Sequence, residues 1–155
     1  SRRWVASLAT IAVEALVVGA AMVLGEVLKD MISQGMLQPP AGLEGLPVLM
    51  LIALPPALML GTSLVGLHPI ISASILLPIL ASIPVLHPVV VVGSVLLGWM
   101  LTIVLSLFVV PVLYAAALYE VNPETLVVGR NLSFCALFIP LALVYLWALN
   151  TWLPK

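Results

Sequence analysis

The stretch Gly61-Thr62-Ser63-Leu64-Val65-Gly66-Leu67-His68-Pro69 decides how this chain is read. It is the most polar and most turn-forming segment within 75 consecutive residues, Gly45 to Tyr119, that contain no Asp, Glu, Lys or Arg. A soluble domain of this size carries about 25% charged residues, because its surface is too large to be covered otherwise. Here the charged fraction is 7%, the hydrophobic fraction 64% and the mean hydropathy +1.33. These values exclude a cytosolic enzyme, a nucleic-acid binder and a disordered linker. The expected solvent is a lipid bilayer.

In a helix, about 20 apolar residues cross the roughly 30 Å hydrocarbon core. Prolines and glycines divide the chain into four to six hydrophobic segments, which predicts an all-α, polytopic integral membrane protein with a single transmembrane domain over 1–155. The first helix is expected over 4–28, anchored by Arg2, Arg3 and Trp4 at an interface. A polar loop follows over 29–45. A helix pair or re-entrant hairpin is expected over 46–86, interrupted by Pro55, Pro56, Pro78 and Pro84. The next segment, 88–119, is too long for one straight crossing and is expected to tilt, to break near Pro111 or to project beyond the bilayer. A loop over 120–130, with Asn122-Pro123-Glu124 as a turn and N-cap, leads to a last helix over 132–152.

The Lys and Arg placement puts Arg2, Arg3 and Arg130 on one side and Lys29 and Lys155 on the other, which favours a cytoplasmic N-terminus. Arg2 and Arg3 before an apolar stretch have the look of a signal peptide. Glu14 inside that stretch, and no small-residue cleavage site before Lys29, argue against one. Opening on Ser1, the chain is either processed at an initiator Met or a piece of a longer protein. Cys135, the single cysteine, lies in an apolar run and reads as a buried apolar side chain.

Irregular backbone at membrane depth must find partners, so it occurs there only when buried in protein or lining a cavity. Two proline-interrupted segments flanking the Gly61–Pro69 stretch suit two half-helices meeting at a tip. Such a tip offers helix-end dipoles and the hydroxyls of Thr62, Ser63, Ser72 and Ser74 to a small ion or solute. The alternative is two ordinary helices joined at a surface, with the hydroxyls as interhelical hydrogen-bond formers. Glu14, close to the middle of the first helix, is a costly residue in a bilayer. It is a candidate for ion coupling, or a carboxyl bonded to a neighbouring helix. Glu26 with Lys29 reads as a local ion pair at a helix end.

Leu67-His68-Pro69-Ile70-Ile71 recurs as Leu86-His87-Pro88-Val89-Val90, two similar helix starts with Pro in the first turn. His68 and His87 read as hydrogen-bonded boundary residues, with proton relay as the minority role for such a residue. No clustered carboxylate or cysteine makes them a metal site. Gly93, Gly98, Thr102 and Ser106 form a small-residue stripe that suits close helix packing. No phosphate loop or nucleophile elbow is present, so the expectation is no enzyme, no cofactor and no nucleic-acid partner.

Leu60 to Ala81, with its hydroxyl-rich tip followed by small residues and Leu76-Leu77-Pro78-Ile79, resembles the hairpin-and-following-helix stretch of ion transporter superfamily members. These include dicarboxylate/sodium symporters and the membrane subunits of tripartite periplasmic transporters. The likeness covers about 22 residues well. Those symporters usually carry Ser-Asn-Thr at the tip; here Thr62-Ser63 is followed by Leu64-Val65-Gly66. The resemblance implies a C-terminal half-like portion of such a transporter. The hydroxylated, glycine-bounded break leads to the expectation of a secondary transporter portion that moves a small anionic solute coupled to sodium or protons. Its expected site is Thr62, Ser63, His68, Ser72 and Ser74, with Glu14 as coupling residue, in the cytoplasmic membrane of a bacterium or archaeon. A non-catalytic membrane subunit that anchors a larger complex through other transmembrane helices is the alternative.

Overall fold

The computed structural model of the protein describes residues 2–107 and 110–154, and its described side chains leave out 1–11, 110, 111 and 130. The expected anchors Arg2, Arg3 and Trp4, the proline at 111, and Arg130 and Lys155 therefore have side chains outside the described set. Among the described residues the fold is entirely helical. The helices are α1 (Arg2–Ser33), α2 (Val48–Leu64), α3 (Pro69–Ala81), α4 (Pro88–Leu105), α5 (Val110–Tyr119), α6 (Pro123–Leu126) and α7 (Leu132–Trp152). A short 3-10 turn, Leu43–Gly45, precedes α2, and a π-helical turn, Val127–Asn131, joins α6 to α7. Among the described residues two helices, α4 and α7, are long and apolar enough to cross a membrane.

The segment read as 88–119 is two helices. α4 ends at Leu105, Ser106 turns extended (φ −90°, ψ 133°), and α5 starts at Val110. The segment read as a loop over 120–130 is largely helical. Pro123 starts α6, and the π-turn is kinked at Gly129 (φ −77°, ψ −122°). Asn122 stands at the N-cap, with no side-chain cap bond.

Three pairings set the directions of the helices. Ser94 and Gly98 of α4 meet Ile52 and Pro55 of α2, and Ser106 meets Ser63, so α2 and α4 run side by side and parallel. Asn150, Leu146 and Asn131 meet His87, Gly93 and Val104, so α7 runs antiparallel to α4. α1 lies along α3, with Glu14 against His68 and Gly25 against Ser74, so these two run parallel. The core lies between α2, α4 and α3, around Leu51, Ile52, Met59, Leu80, Val90 and Leu101.

The prolines explain much of this packing. A proline has no N–H, so Pro56 leaves the carbonyl of Ile52 without its helical donor. Ser94 Oγ donates to that carbonyl from α4 and is itself 1% exposed. Pro78 likewise frees the carbonyl of Ser74, and α1 approaches it at Gly25. A Cβ at Gly25 would sit 3.3 Å from that oxygen. At Gly98 a Cβ would lie 2.8 Å from Met59 Sδ and 3.1 Å from the Pro55 carbonyl oxygen, so only glycine lets α4 approach the proline pair this closely. Among the described residues every buried side-chain nitrogen and oxygen has a partner.

The Ser94–Ile52 bond gives a direct test. Ser94→Ala leaves a buried carbonyl unpaired and is expected to destabilise by about 1–3 kcal/mol. In a Pro56→Ala background, residue 56 regains its N–H and can bond Ile52, so the same serine change is expected to cost less. Thermal unfolding of the four proteins in one detergent measures this cycle.

Candidate functional site: the hairpin tip and the helix breaks around it

α2 and α3 are joined by a turn whose middle residue, Gly66, has φ +84°, a left-handed conformation that favours glycine. At 1.5 Å per residue the two helices are only about 26 and 20 Å long. The turn is apolar: Leu64, Val65 and Leu67 are all exposed, Val65 at 83%. His68 ends it as the N-cap of α3, where its Nδ1 accepts a 3.3 Å bond from the Ile70 N–H and Pro69 follows in the first turn. His87 caps α4 in the same way, through a 3.2 Å bond from Val89 N–H, with Pro88 next. The repeated Leu-His-Pro is thus a repeated capping device.

The site residues divide into three groups. Thr62 and Ser72 come together across the hairpin, their hydroxyl oxygens 2.9 Å apart. Thr62 Oγ1 donates back to the carbonyls of Leu58 and Met59 at 2.8 and 3.1 Å, which leaves Ser72 as donor to Thr62. Ser63 faces α4: its Oγ donates to Leu60 at 2.8 Å, and its carbonyl accepts a 3.2 Å bond from Ser106 Oγ. Ser63, Ser72 and Ser106 are all buried. Ser74 is on the opposite side, two residues past Ser72, donating to the Ile71 carbonyl and facing α1. His68 turns toward α1 as well, with Nε2 3.4 Å from Glu14 Oε2.

Other polar residues complete the picture. Asn131, at the start of α7, donates from Nδ2 to the Val104 carbonyl at 3.4 Å, beside the end of α4. In sequence Asn131-Leu132-Ser133 fits the glycosylation pattern, but it sits against a membrane segment on the expected inner side, where that pattern does not serve. At the opposite end of the bundle the buried Asn150 accepts from His87 N–H at 2.8 Å and donates to the Val85 carbonyl at 3.0 Å. It therefore ties the α3–α4 connection to α7. The signal for both was available, since an amide inside an apolar segment needs two partners.

Three discontinuities therefore meet at one level of the bundle. They are the α2–α3 tip, the end of α4 at Ser106, and the π-turn with its kink at Gly129 and Asn131 beside it. Glu14 of α1 lies at the same level, through His68. Between α1, α3 and α4, on the side away from the tip, an open groove of about 730 Å³ is lined mainly by apolar side chains such as Met22, Leu77, Val91 and Trp99. Lys29 and Glu26, 3.3 Å apart, stand at its edge. Among the described residues no three of His, Cys, Asp and Glu gather into a metal-binding group. Comparison with protein-family models, curated proteins and solved structures finds no match.

If Thr62 and Ser72 hold the hairpin closed as a pair, their removal is non-additive. Thr62→Val and Ser72→Ala are each expected to destabilise by about 0.5–1.5 kcal/mol, and the double variant by less than the sum. Thermal unfolding of the singles and the double reads the coupling.

Proposed function

We propose that this chain is a portion of a secondary transporter embedded in a membrane, with its solute path at the level of the hairpin tip. The convergence of helix breaks carries the reading. Discontinuous helices meeting a hairpin tip expose helix ends and free backbone groups where a solute can be held. α1 is about 48 Å long, α4 and α5 are about 27 and 15 Å on either side of the break at Ser106, and α7 is about 32 Å with α6 and the kinked π-turn before it. α2 and α3 are roughly half the length of α1. On this reading α1, α4–α5 and α6–α7 cross, and the hairpin enters and returns without crossing.

The tip's own composition supports this depth. Leu64-Val65-Gly66-Leu67 is a poor turn to offer to water, whereas the loop over 34–47 carries Gln34, Gln38 and Glu44 and the turn after Tyr119 carries Glu120, Asn122 and Glu124. Glu14 is ten residues, about 15 Å, from Trp4 and twelve residues, about 18 Å, from Glu26, the length of a hydrocarbon core. α3 begins and α2 and α4 end at the tip, so helix ends of both signs face the break, where a small ion or an anionic solute can be held. Thr62, Ser63 and Ser72, with Ser106, line the path, and movement of the hairpin against α4 opens it. Coupling is to sodium or protons.

A second reading is favoured by the apolar groove along α1, α3 and α4 and by the exposed Leu137, Leu141 and Tyr145 of α7. These surfaces also suit a non-catalytic subunit that packs against the helices of a larger complex.

The experiment is uptake by vesicles holding the complete native protein, with labelled C4-dicarboxylates and imposed sodium or pH gradients. Ser63→Ala and Ser72→Ala are each expected to cut uptake at least tenfold while the protein still inserts. Unchanged uptake and ion dependence in both variants removes these serines from the site.

A further inference from the structure

We propose that the groove between α1, α3 and α4 binds one membrane phospholipid, a phosphatidylethanolamine, with its headgroup at Glu26 and Lys29. The inference goes beyond the transport reading. It rests on the membrane placement given there and not on any solute being carried.

Register builds the groove. α1 and α3 run parallel with Gly25 against Ser74. Counting one turn at a time from that contact sets Ala21 level with Ile70, Lys29 with Pro78 and Ser33 with Ser82, and all of these residues line the groove. Its walls are therefore about 18 Å long. The third wall is α4, from Pro88 beside Ser82 to Trp99, about 16 Å nearer the tip.

The lining changes character along this length. On the tip side of Lys29, about 12 Å of wall is apolar, with Met22, Ile70, Ala73, Val92 and Trp99. Ser74 lies there too, but its hydroxyl is satisfied by the Ile71 carbonyl. The charges of Glu26 and Lys29, and then Ser33 and Ser82, occupy the other part. With the tip inside the bilayer, this order follows the membrane's own gradient. The apolar part is close to the roughly 15 Å of hydrocarbon in one leaflet. A volume of about 730 Å³ over that wall length averages about 40 Å² in cross-section. A helix, 10–12 Å across with its side chains, needs about 80–110 Å². A helix can therefore lie over the mouth but does not enter, whereas alkyl chains do.

The charges select the headgroup. Lys29 stands between two carboxylates in sequence, Glu26 and Asp30, so this end of α1 is net negative and disfavours a purely anionic lipid. Lys29 Nζ has three donors and gives one to Glu26 Oε2 at 3.3 Å. Both groups are mostly exposed and free to take further partners. A zwitterionic headgroup complements them: its phosphate accepts from Lys29, and its ammonium donates to Glu26. Ethanolamine has N–H groups for this bond, and choline has none.

Native mass spectra of the complete protein, released from nanodiscs holding equal phosphatidylethanolamine, phosphatidylcholine and phosphatidylglycerol with the same chains, test the site. One phosphatidylethanolamine per chain is expected, retained about tenfold over the other two lipids, a difference of about 1.4 kcal/mol. Val92→Trp, at an exposed position of the apolar wall, is expected to abolish retention. If Val92→Trp fails to assemble, Ala81→Trp fills the groove at its other end, with the same loss expected. Lys29→Gln and Glu26→Gln are expected to keep a bound lipid and lose the preference, and Leu137→Trp on α7 to change nothing. No retained lipid, retention indifferent to both groove tryptophans, or a preference for phosphatidylglycerol overturns the proposal. So does a lipid-free dimer that Val92→Trp dissociates, which gives the groove to a second copy. Selective retention by a protein that takes up no solute leaves the lipid site standing and removes the transport reading. Uptake by a protein that retains no lipid does the reverse.

Discussion

A backbone carbonyl without a donor is costly wherever water is absent, and this chain creates such carbonyls repeatedly by placing proline inside helices. Pro55 and Pro56 in α2, Pro78 in α3 and Pro140 in α7 each remove one N–H from the helical ladder. The helices survive because neighbours answer. Ser94 donates to the Ile52 carbonyl that Pro56 frees, and Gly25 lets α1 come close to the Ser74 carbonyl that Pro78 frees, while Gly98 lets α4 pack directly on the proline pair. In a chain with almost no charge, this demand selects which helix packs on which, and in what register.

The same logic governs the breaks. Where α4 stops, Ser106 turns to the carbonyl of Ser63, and Asn131 reaches the carbonyl of Val104. Where α2 turns into α3, Thr62 and Ser72 close the hairpin and His68 caps α3. The hydroxyls at the tip thus hold it together in this conformation, and access to them requires the hairpin to move. A tip that is fastened by a few hydrogen bonds and one Glu14–His68 contact is suited to such movement, because each bond is worth only about 1 kcal/mol net.

The segment pattern was legible from hydropathy and from Pro and Gly punctuation, and the two Leu-His-Pro starts were legible from proline's tolerance of the first helical turn. Broken segments can be located this way because the residues that break a helix do so locally. The pairings were not legible. Nothing in the spacing of Thr62 and Ser72 says that they meet, and periodicity places Ser74 off the face of Ser72 without saying that it faces α1. Glu14 and His68 are 54 positions apart, and their contact depends on α1 running parallel to α3, which no local signal encodes. The break at Ser106 was masked by Pro111 five residues on, the more obvious breaker. The helical turn over 123–131 was hidden by a polar composition that reads as loop.

The claim on which the functional account rests is the depth of the hairpin tip. A nitroxide at Val65→Cys, in a Cys135→Ala background, reports this through its collisions with oxygen and with a water-soluble nickel chelate. Val65 is 83% exposed in the chain, so its label meets whatever medium surrounds the tip. The account predicts strong oxygen and weak nickel contact, the pattern of the bilayer interior, with the opposite pattern for a label at Gln38 in the polar loop. A label at Val65 that meets the nickel chelate as freely as one at Gln38 would contradict it and make the tip a surface turn.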